Sequence, residues 1–358
     1  MPRMAPVRTR DELAARAAAG TLGEAVVEAV DAAGLDLHGC DLSGATVRGG
    51  SLEGADLTAA RLSGATLDGV RLVGAKLARA DLGGCSLRDV DLRGADLGGA
   101  DLGDADLSGA NLRGTMLAGA RLLAVDLSRA DLTGVDLRAA RVSVRALVGA
   151  TLRDARFFLA DLTGADLTAS SVAGAWFQQT LLVDARAARV DFTGCTLTDA
   201  TFDGADLTGA NLGGVEARQI ALRGAKLVGA TLAKISARAA DARGANLDGV
   251  DAHEADLREA ALDGATIRKA NLRNARLREA RLVGAQLEGS LLAGADFTYA
   301  DLSHANLDKT VLLDANFENA VLHRARLDFA STGGARMRGA RMNDPERARA
   351  EDFSREDR

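Results

Sequence analysis

The chain has 358 residues, of which 47% are hydrophobic and only 3% aromatic, so its interior must be built mainly from Ala and Leu. A formal net charge of −6 is small for this length and predicts neither a nucleic-acid-binding basic surface nor a strongly acidic field. The sequence begins without the apolar segment of a signal peptide, and no run of about 18 apolar residues predicts a membrane span. We therefore expect a cytoplasmic protein that contacts neither membranes nor nucleic acid directly.

Residues 1–34 differ from the rest of the chain. They contain two capping boxes, Thr9 with Glu12 and Thr21 with Glu24, and each opens an Ala-rich run. This pattern predicts two short helices. We expect them to cap the structure that follows, because the open end of a repeat structure exposes apolar interior and unpaired strand edges.

Residues 35–340 repeat every five residues. Ala takes most positions ending in 0 or 5 and Leu most positions ending in 2 or 7, as in the segment ADLGGADLGDADLSGANLRG. A five-residue step turns an α-helix by about 500°, so the leucines would form no stripe on a helix. In an extended chain, Ala and Leu two residues apart face the same side. The next inward pair starts three residues later, which requires a corner, and glycine often occupies it. Each pentapeptide is thus one short side and one corner of a coil.

Several positions depart from this pattern. Arg145 falls on an inward position, where an unpaired charge is not tolerated, and we expect a bulge near 141–146. Where Ala replaces the central Leu, a larger residue two positions earlier often conserves the volume, as Val215, Ile235 and Val250 do before Ala217, Ala237 and Ala252. Two pairs lack this compensation, Ala185 with Ala187 and Ala240 with Ala242. We expect looser packing there and the lowest stability around 185–245.

Residues 341–358 form a charged tail after the repeat. Pro345 is followed by alternating charge with almost nothing apolar, which predicts a disordered segment or a frayed helix.

The A-(D/N)-L-x-x units resemble those of the pentapeptide repeat family over some 85% of the chain. The resemblance implies an all-β solenoid, a right-handed quadrilateral parallel β-helix with four pentapeptides per coil. A spacing of 20 residues recurs in two phenylalanine pairs, Phe157 with Phe177 and Phe297 with Phe317. With 20 residues per coil, the repeat region would form roughly 15 coils behind a short N-terminal α-helical cap.

The sequence contains no catalytic or cofactor-binding motif, and we expect no enzyme activity, no cofactor and no metal site. The recurrent Asp before the central Leu belongs to the repeat and does not indicate acid–base chemistry. Cys40, Cys85 and Cys195 each take the Ala position of the repeat and are expected to be buried, unpaired thiols. His304 and His323 fall on adjacent coils without a carboxylate shell.

Function is expected to depend on the outer faces, where three departures from the repeat stand out. The first is an apolar group around one corner, which we interpret as a contact for a protein partner or a second copy of the chain, or as residues packed under a local loop: Leu123, Phe158, Leu159, Trp176, Leu181 and Val183. The second is a basic column, for which a salt-bridged, solvated face is the main interpretation: Arg218, Arg238, Arg258 and Arg278. The third is an apolar strip near the C-terminus, expected to be covered by the tail or a partner: Leu291, Val311 and Leu313.

Two functions fit this pattern. The first is a protein-interaction scaffold or adaptor, as the resemblance to long bacterial pentapeptide repeat proteins implies. The alternative is a mimic of duplex DNA that binds DNA gyrase or topoisomerase IV and protects it from inhibitors, as shorter family members do. A mimic needs dense negative charge, whereas arginines such as Arg61, Arg88 and Arg121 interrupt the acidic faces. The sequence does not identify the partner or the oligomeric state.

Overall fold

The computed structural model describes residues 5–138 and 141–344, with the backbone alone for 141–146. The chain divides into two compact units, Met1–Leu181 and Leu182–Arg358. In both units, short extended segments pair in parallel with the segments 20 residues further along the chain. Asp36 pairs with Asp56 in the first unit, and Asp206 pairs with Lys226 in the second. Because four pentapeptides separate the partners, each coil has four sides.

The corners explain why glycine recurs. The N–H of Ala45 donates to the carbonyl of Leu42 (3.0 Å), closing a four-residue turn in which Gly44 has φ +64°. A positive φ at the third residue of a turn is typical of type II and favours glycine. The same turn bond recurs along both units, so the corner is a property of the repeat.

The interior of each coil, here called the lumen, is lined by the Ala and Leu positions. Ala105 and Leu107 are 1% and 0% exposed. The rings of Phe157 and Phe177 stack at 5.1 Å, and those of Phe297 and Phe317 stack at 4.9 Å, which confirms the 20-residue coil. Several small polar side chains occupy the Ala position, and their hydroxyl groups donate to backbone carbonyls 23 residues earlier. The observed pairs are Thr115 to Leu92 (3.0 Å), Thr180 to Phe157 (2.7 Å) and Ser290 to Ile267 (2.5 Å).

The N-terminal segment contains one helix, α1 (Arg10–Ala18). Thr9 is its N-cap and accepts from the N–H of Glu12 (3.2 Å), so the first predicted helix is confirmed. Arg10 donates to the carbonyl of Ala33 (2.6 Å). The side chain of Leu13 is 2% exposed and lies among lumen residues of the first coils.

The second predicted helix, opened by Thr21 and Glu24, is wrong. The segment instead forms β1 (Val26–Glu28), which pairs in parallel with β2 (Thr46–Arg48), and Glu24 sits at a corner with φ +56°. Leu22, Ala25, Val27, Val30 and Ala32 are all buried at the inward spacing of the pentapeptide. Burial of this apolar face outweighs the capping box, and the pairing reaches back to Val7, which faces Val27.

The predicted bulge is confirmed. Strand β3 (Arg121–Asp126) pairs with β4 (Arg141–Ala146), and the register shifts on both sides of Val125. Val125 faces Val144 and Asp126 faces Ala146, so the register passes over Arg145. The register skips one residue on each strand, Ala124 on β3 and Arg145 on β4, so the 20-residue offset is restored where Asp126 faces Ala146. The inward spacing continues at Leu147, which is fully buried.

Coil pairing ends where Val321 faces Arg341. In this last coil, several apolar inward positions are only half-buried, such as Leu327 and Ala335, and Met337 (36%) and Met342 (54%) are exposed. The tail predicted from residue 345 onward lies outside the described residues.

Candidate functional site

One face of the first unit carries a ladder of Asp136, Arg156 and Trp176, which are successive register partners. The guanidinium carbon of Arg156 lies 4.9 Å from the ring centroid of Trp176, within cation–π distance. Nη1 of Arg156 is 4.0 Å from Oδ2 of Asp136. The ladder therefore fixes an indole that is still 46% exposed.

Leu159 occupies the corner that follows on the same side of the coil. Its φ is +60° and the residue is 66% exposed. Among the described corners with positive φ, it is the one aliphatic side chain larger than Ala. Most of the others carry Gly, a charged or amide side chain, or Ala. Leu159 thus combines an unfavourable backbone conformation with an exposed apolar side chain.

Two further predicted residues lie around the same corner. Phe158 is half-buried beside Leu159, and Leu181, 43% exposed, pairs with Asp161 on the adjacent coil. We call Phe158, Leu159, Trp176 and Leu181 the Trp176 patch.

The structure separates one of the other two predicted residues, Leu123, from this patch. Leu123 lies on β3, half-buried and facing Ser143 of β4, and two coils separate it from the coil of Leu181. Val183 is half-buried and belongs to the second unit. The sequence reasoning also missed Arg156, although its spacing of 20 residues from Trp176 is the signal that places both on one ladder.

The predicted arginine column lies in the second unit, and each of its members has an acidic partner. Arg258 contacts Asp256 (2.6 Å), Arg278 contacts Glu279 (3.0 Å), and Arg218 lies 3.9 Å from Glu216. Arg238 is paired with Glu259. Arg278 also lies 5.5 Å from the ring centroid of Tyr299. The column is thus a salt-bridged face without a concentrated positive field, as its main interpretation predicts.

The aspartates of the repeat have a structural task. Oδ1 of Asp96 accepts from the N–H of Gly98 (2.9 Å), and the same contact to the residue two positions later recurs throughout both units. Hydrogen bonds from Thr58 hold the pKa of Asp56 below its usual range. Many aspartates also pair with arginines, such as Asp101 with Arg121 (2.6 Å). These carboxylates stabilise turns and are largely compensated.

The thiols and imidazoles provide no visible reactive centre. Cys85 is buried, donates to the carbonyl of Leu62 (2.8 Å), and burial raises the pKa of its thiol to about 12. Cys195 is buried as expected, whereas Cys40 is only half-buried. The rings of His304 and His323 meet edge to face at 5.5 Å, and Nδ1 of His323 accepts from the N–H of Asp344 (3.0 Å).

The third predicted surface lies near the C-terminal end of the second unit. Leu291 and Val311 are half-buried register partners, and Leu313 is 44% exposed. A Cβ on Gly333 would lie 3.3 Å from Leu313, so the glycine leaves room for this side chain. The described residues after Val321 therefore do not cover Leu313, which keeps part of its side chain in contact with solvent.

The repeat matches a known family. The family model described as "Pentapeptide repeats (8 copies)" matches ten segments between residues 36 and 344, most of which overlap their neighbours. The chain belongs to the pentapeptide repeat family. Pentapeptide repeat proteins form right-handed quadrilateral β-helices, in agreement with the four-sided coils of both units.

Solved structures of other pentapeptide repeat proteins are similar to parts of the chain. One from the Arabidopsis thaliana thylakoid lumen is 30% identical over 30% of this chain and 74% of its own, with a TM-score of 0.28. HetL of the cyanobacterium Nostoc, involved in heterocyst differentiation regulation, is 23% identical over 95% of this chain and 98% of its own, with a TM-score of 0.15. QnrB1, a plasmid-mediated fluoroquinolone resistance protein, is 23% identical over 56% and 86%, with a TM-score of 0.21. No curated protein matches the chain in sequence.

No group of three or more His, Cys, Asp or Glu side chains among the described residues is arranged to hold a metal ion. The described part of the chain has no helix with the length and apolarity to cross a membrane.

Proposed function

We propose that the protein is a non-enzymatic interaction scaffold that binds a protein partner through the Trp176 patch. The observation that supports this most strongly is the half-exposed Trp176, stacked by Arg156, together with Leu159 at the left-handed corner that follows Arg156. Trp and Arg are the residue types most enriched among interface residues that contribute most of the binding energy.

Leu159 strengthens the proposal because a leucine in this backbone conformation does not stabilise the fold. A leucine at positive φ is less favourable than glycine by about 1 kcal/mol. At 66% exposure, it regains little of this through burial within its own unit. A residue that is unfavourable in the free protein fits a surface that a partner covers.

The expected partner presents an apolar recess with acidic groups at its rim. The recess would cover Trp176, Leu159 and Leu181, and the acidic groups would meet Arg156, which Asp136 approaches only to 4.0 Å. A second copy of the chain is the other occupant to be tested. The cytoplasmic location remains a prediction from the sequence.

Mimicry of duplex DNA is less well supported. A mimic presents uncompensated negative charge, whereas the outward carboxylates here are tied into turns and ion pairs. Asp91 with Arg93 (2.7 Å) and Asp101 with Arg121 (2.6 Å) are examples from the first unit, and Asp241 with Arg223 (2.6 Å) is one from the second.

We also propose that α1 caps the first coil of the first unit. Leu13 contributes the apolar contact, and Arg10 and Arg16 hold the helix through the carbonyls of Ala33 (2.6 Å) and Thr21 (3.0 Å). The count of roughly 15 coils remains a prediction from the sequence length.

The scaffold is tested by comparing the full chain with the double variant Trp176→Ser, Leu159→Ser as bait in affinity capture followed by mass spectrometry. We expect a defined protein to be captured by the wild type and lost from the double variant, since removing an anchor of this kind typically weakens binding at least thirtyfold. Circular dichroism and the melting temperature should stay close to wild type, because both side chains lie outside the lumen.

The matched control is Val228→Ser, which removes another exposed apolar side chain, 40% exposed, from the second unit. Capture that survives in the double variant, or is lost equally in the control, would contradict the role of the Trp176 patch. Light scattering of the purified wild type and double variant tests the second copy, and recovery of gyrase subunits would favour DNA mimicry.

A further inference from the structure

The second unit contains a cavity of about 30 Å³ in its lumen. All the residues that line it are Ala, Val, Ile or Leu. Ala237, Ala242 and Ala252 form part of the wall, together with Leu247 and Leu257. Leu247 is 7% exposed and Leu257 is only half-buried, although both take the central Leu position of the repeat.

The cavity has a simple origin in the sequence. Four central positions complete one coil, and in the coil that starts at Ala237 three of them are Ala, leaving Leu247 as the one large side chain. Ile235 and Val250 precede Ala237 and Ala252 and also line the cavity, so the volume they add does not fill it. Rigid backbone ladders on every side prevent the coil from collapsing onto the missing volume.

The chemistry of the wall decides what the cavity accepts. A buried water is stable only where it makes two to four hydrogen bonds, and the lining side chains offer neither donor nor acceptor. A cavity needs roughly 10–15 Å³ to hold one water, so about 30 Å³ suits an occupant somewhat larger than water. An apolar atom of that size would gain dispersion contacts on all sides.

We propose that this cavity is a binding site for small, uncharged, apolar molecules of one to three heavy atoms, for which xenon is the probe. Binding requires no movement of the backbone ladder, since the space already exists between side chains. Charged, hydrogen-bonding or larger molecules are excluded by the wall and by the closed coils.

The test uses the full chain with ¹³C-labelled alanine methyl groups, followed by NMR under increasing xenon pressure. We expect saturable shifts of the methyl resonances of Ala237, Ala242 and Ala252, with much smaller shifts at Ala105 in the first unit. The variant Ala242→Leu should weaken xenon binding at least tenfold, because the added side chain occupies the cavity.

The matched control is Ala233→Leu, which makes the same change at a half-buried outward position and should leave the xenon shifts intact. If Ala242→Leu does not fold, Ala252→Val replaces it as a smaller filling change. The proposal is overturned if the folded wild type shows no saturable shift or shows a bound water at these methyl groups. It is equally overturned if xenon binds a folded filling variant as well as it binds the wild type.

Discussion

Two Ala-rich stretches of the second unit look alike in the sequence and pack differently. Ala185 and Ala187 have no exposed surface, whereas Ala240 and Ala242 are each 3% exposed and line the cavity. The expected looseness therefore occurs at the second pair and not at the first. The difference arises from neighbouring sides of the coil, because the rings of Phe192 and Phe202 meet edge to face at 5.8 Å across the lumen beside the first pair.

The comparison shows that lumen volume is conserved over a whole coil and not within one pentapeptide. The coil that starts at Leu182 has Leu182, Ala187, Phe192 and Leu197 at its central positions, so a large ring offsets the small side chain. The coil that starts at Ala237 has Ala237, Ala242, Leu247 and Ala252, and nothing offsets the three alanines. Compensation has to come from side chains that point at the same part of the lumen.

The largest expected effect comes from removing the compensating ring. Phe192→Ala should lower the free energy of unfolding by about 3–5 kcal/mol, because it opens a cavity beside Ala187 that resembles the one beside Ala242. Urea denaturation of the full chain measures the change. Phe329→Ala is the control, since this ring is 88% exposed and its loss should cost less than about 0.5 kcal/mol. Equal effects of the two changes would show that Phe192 does not fill the lumen.

Adding volume at the well-packed site of Ala187 should also destabilise the fold. Ala187→Leu forces three additional heavy atoms into a lumen that the phenylalanines already occupy, and we expect a loss of about 1–3 kcal/mol in the free energy of unfolding. The same denaturation experiment provides the value. A neutral or stabilising result would mean that space beside Ala187 exists despite its complete burial.

The same substitution, Ala to Leu, should have the opposite effect on the free energy of unfolding at the cavity. Ala242→Leu adds apolar contacts without displacing any side chain, and we expect a gain of about 1 kcal/mol in the free energy of unfolding. The sign is the decisive measurement, and Ala233→Leu, outside the lumen, serves as the neutral reference. A loss as large as that of Ala187→Leu would contradict the distinction between the two coils.

The period of five predicted most of this architecture, because a strict repeat specifies every inward position at once. The spacing of Phe157 and Phe177 predicted the 20-residue coil, and the inward position of Arg145 predicted the bulge. The second helix was predicted wrongly because the capping box at Thr21 was weighed as a local signal, whereas the inward spacing of Ala25, Val27 and Val30 decides the structure there. The sequence predicted loose packing at Ala240 and Ala242, but not the cavity, because the volume within one pentapeptide does not show whether the whole coil fills its lumen.

The candidate site was less predictable. Exposed apolar residues stand out against the repeat, and so Trp176, Phe158 and Leu159 could be named. Their arrangement depends on the coil register, which separates Leu123 from them and adds Arg156. The backbone conformation of Leu159 is a property of the corner, and its importance becomes visible only by comparison with the other corners of the structure.

The smallest expected effect concerns the outer surface of the loosely packed coil. Asp241 lies between Ala240 and Ala242, with Nη2 of Arg243 at 2.7 Å and Nε of Arg223 at 2.6 Å from its Oδ2. Hydrogen bonding from Arg243 and Arg223 lowers the pKa of Asp241 to about 2, although partial burial acts in the opposite direction. Arg223 lies on the coil before Asp241 and Arg243, so Asp241 joins that coil to the coil whose lumen is incompletely filled.

Because the pKa of Asp241 is lower in the folded chain than in the unfolded chain, where a carboxyl titrates near pH ~4, its contribution is fully present above that pH. The contribution disappears as the pH falls through about 2. Asp241→Asn should therefore lower the free energy of unfolding by about 1 kcal/mol at pH 7, after allowance for solvent screening of a partly exposed pair. The difference from wild type should shrink steadily below pH 4 in urea denaturation. Arg243→Gln should also lower the free energy of unfolding, and the double variant should lose less than the sum of the two single variants. A pH-independent difference, or strictly additive losses, would show that the carboxylate acts through packing and not through its charge.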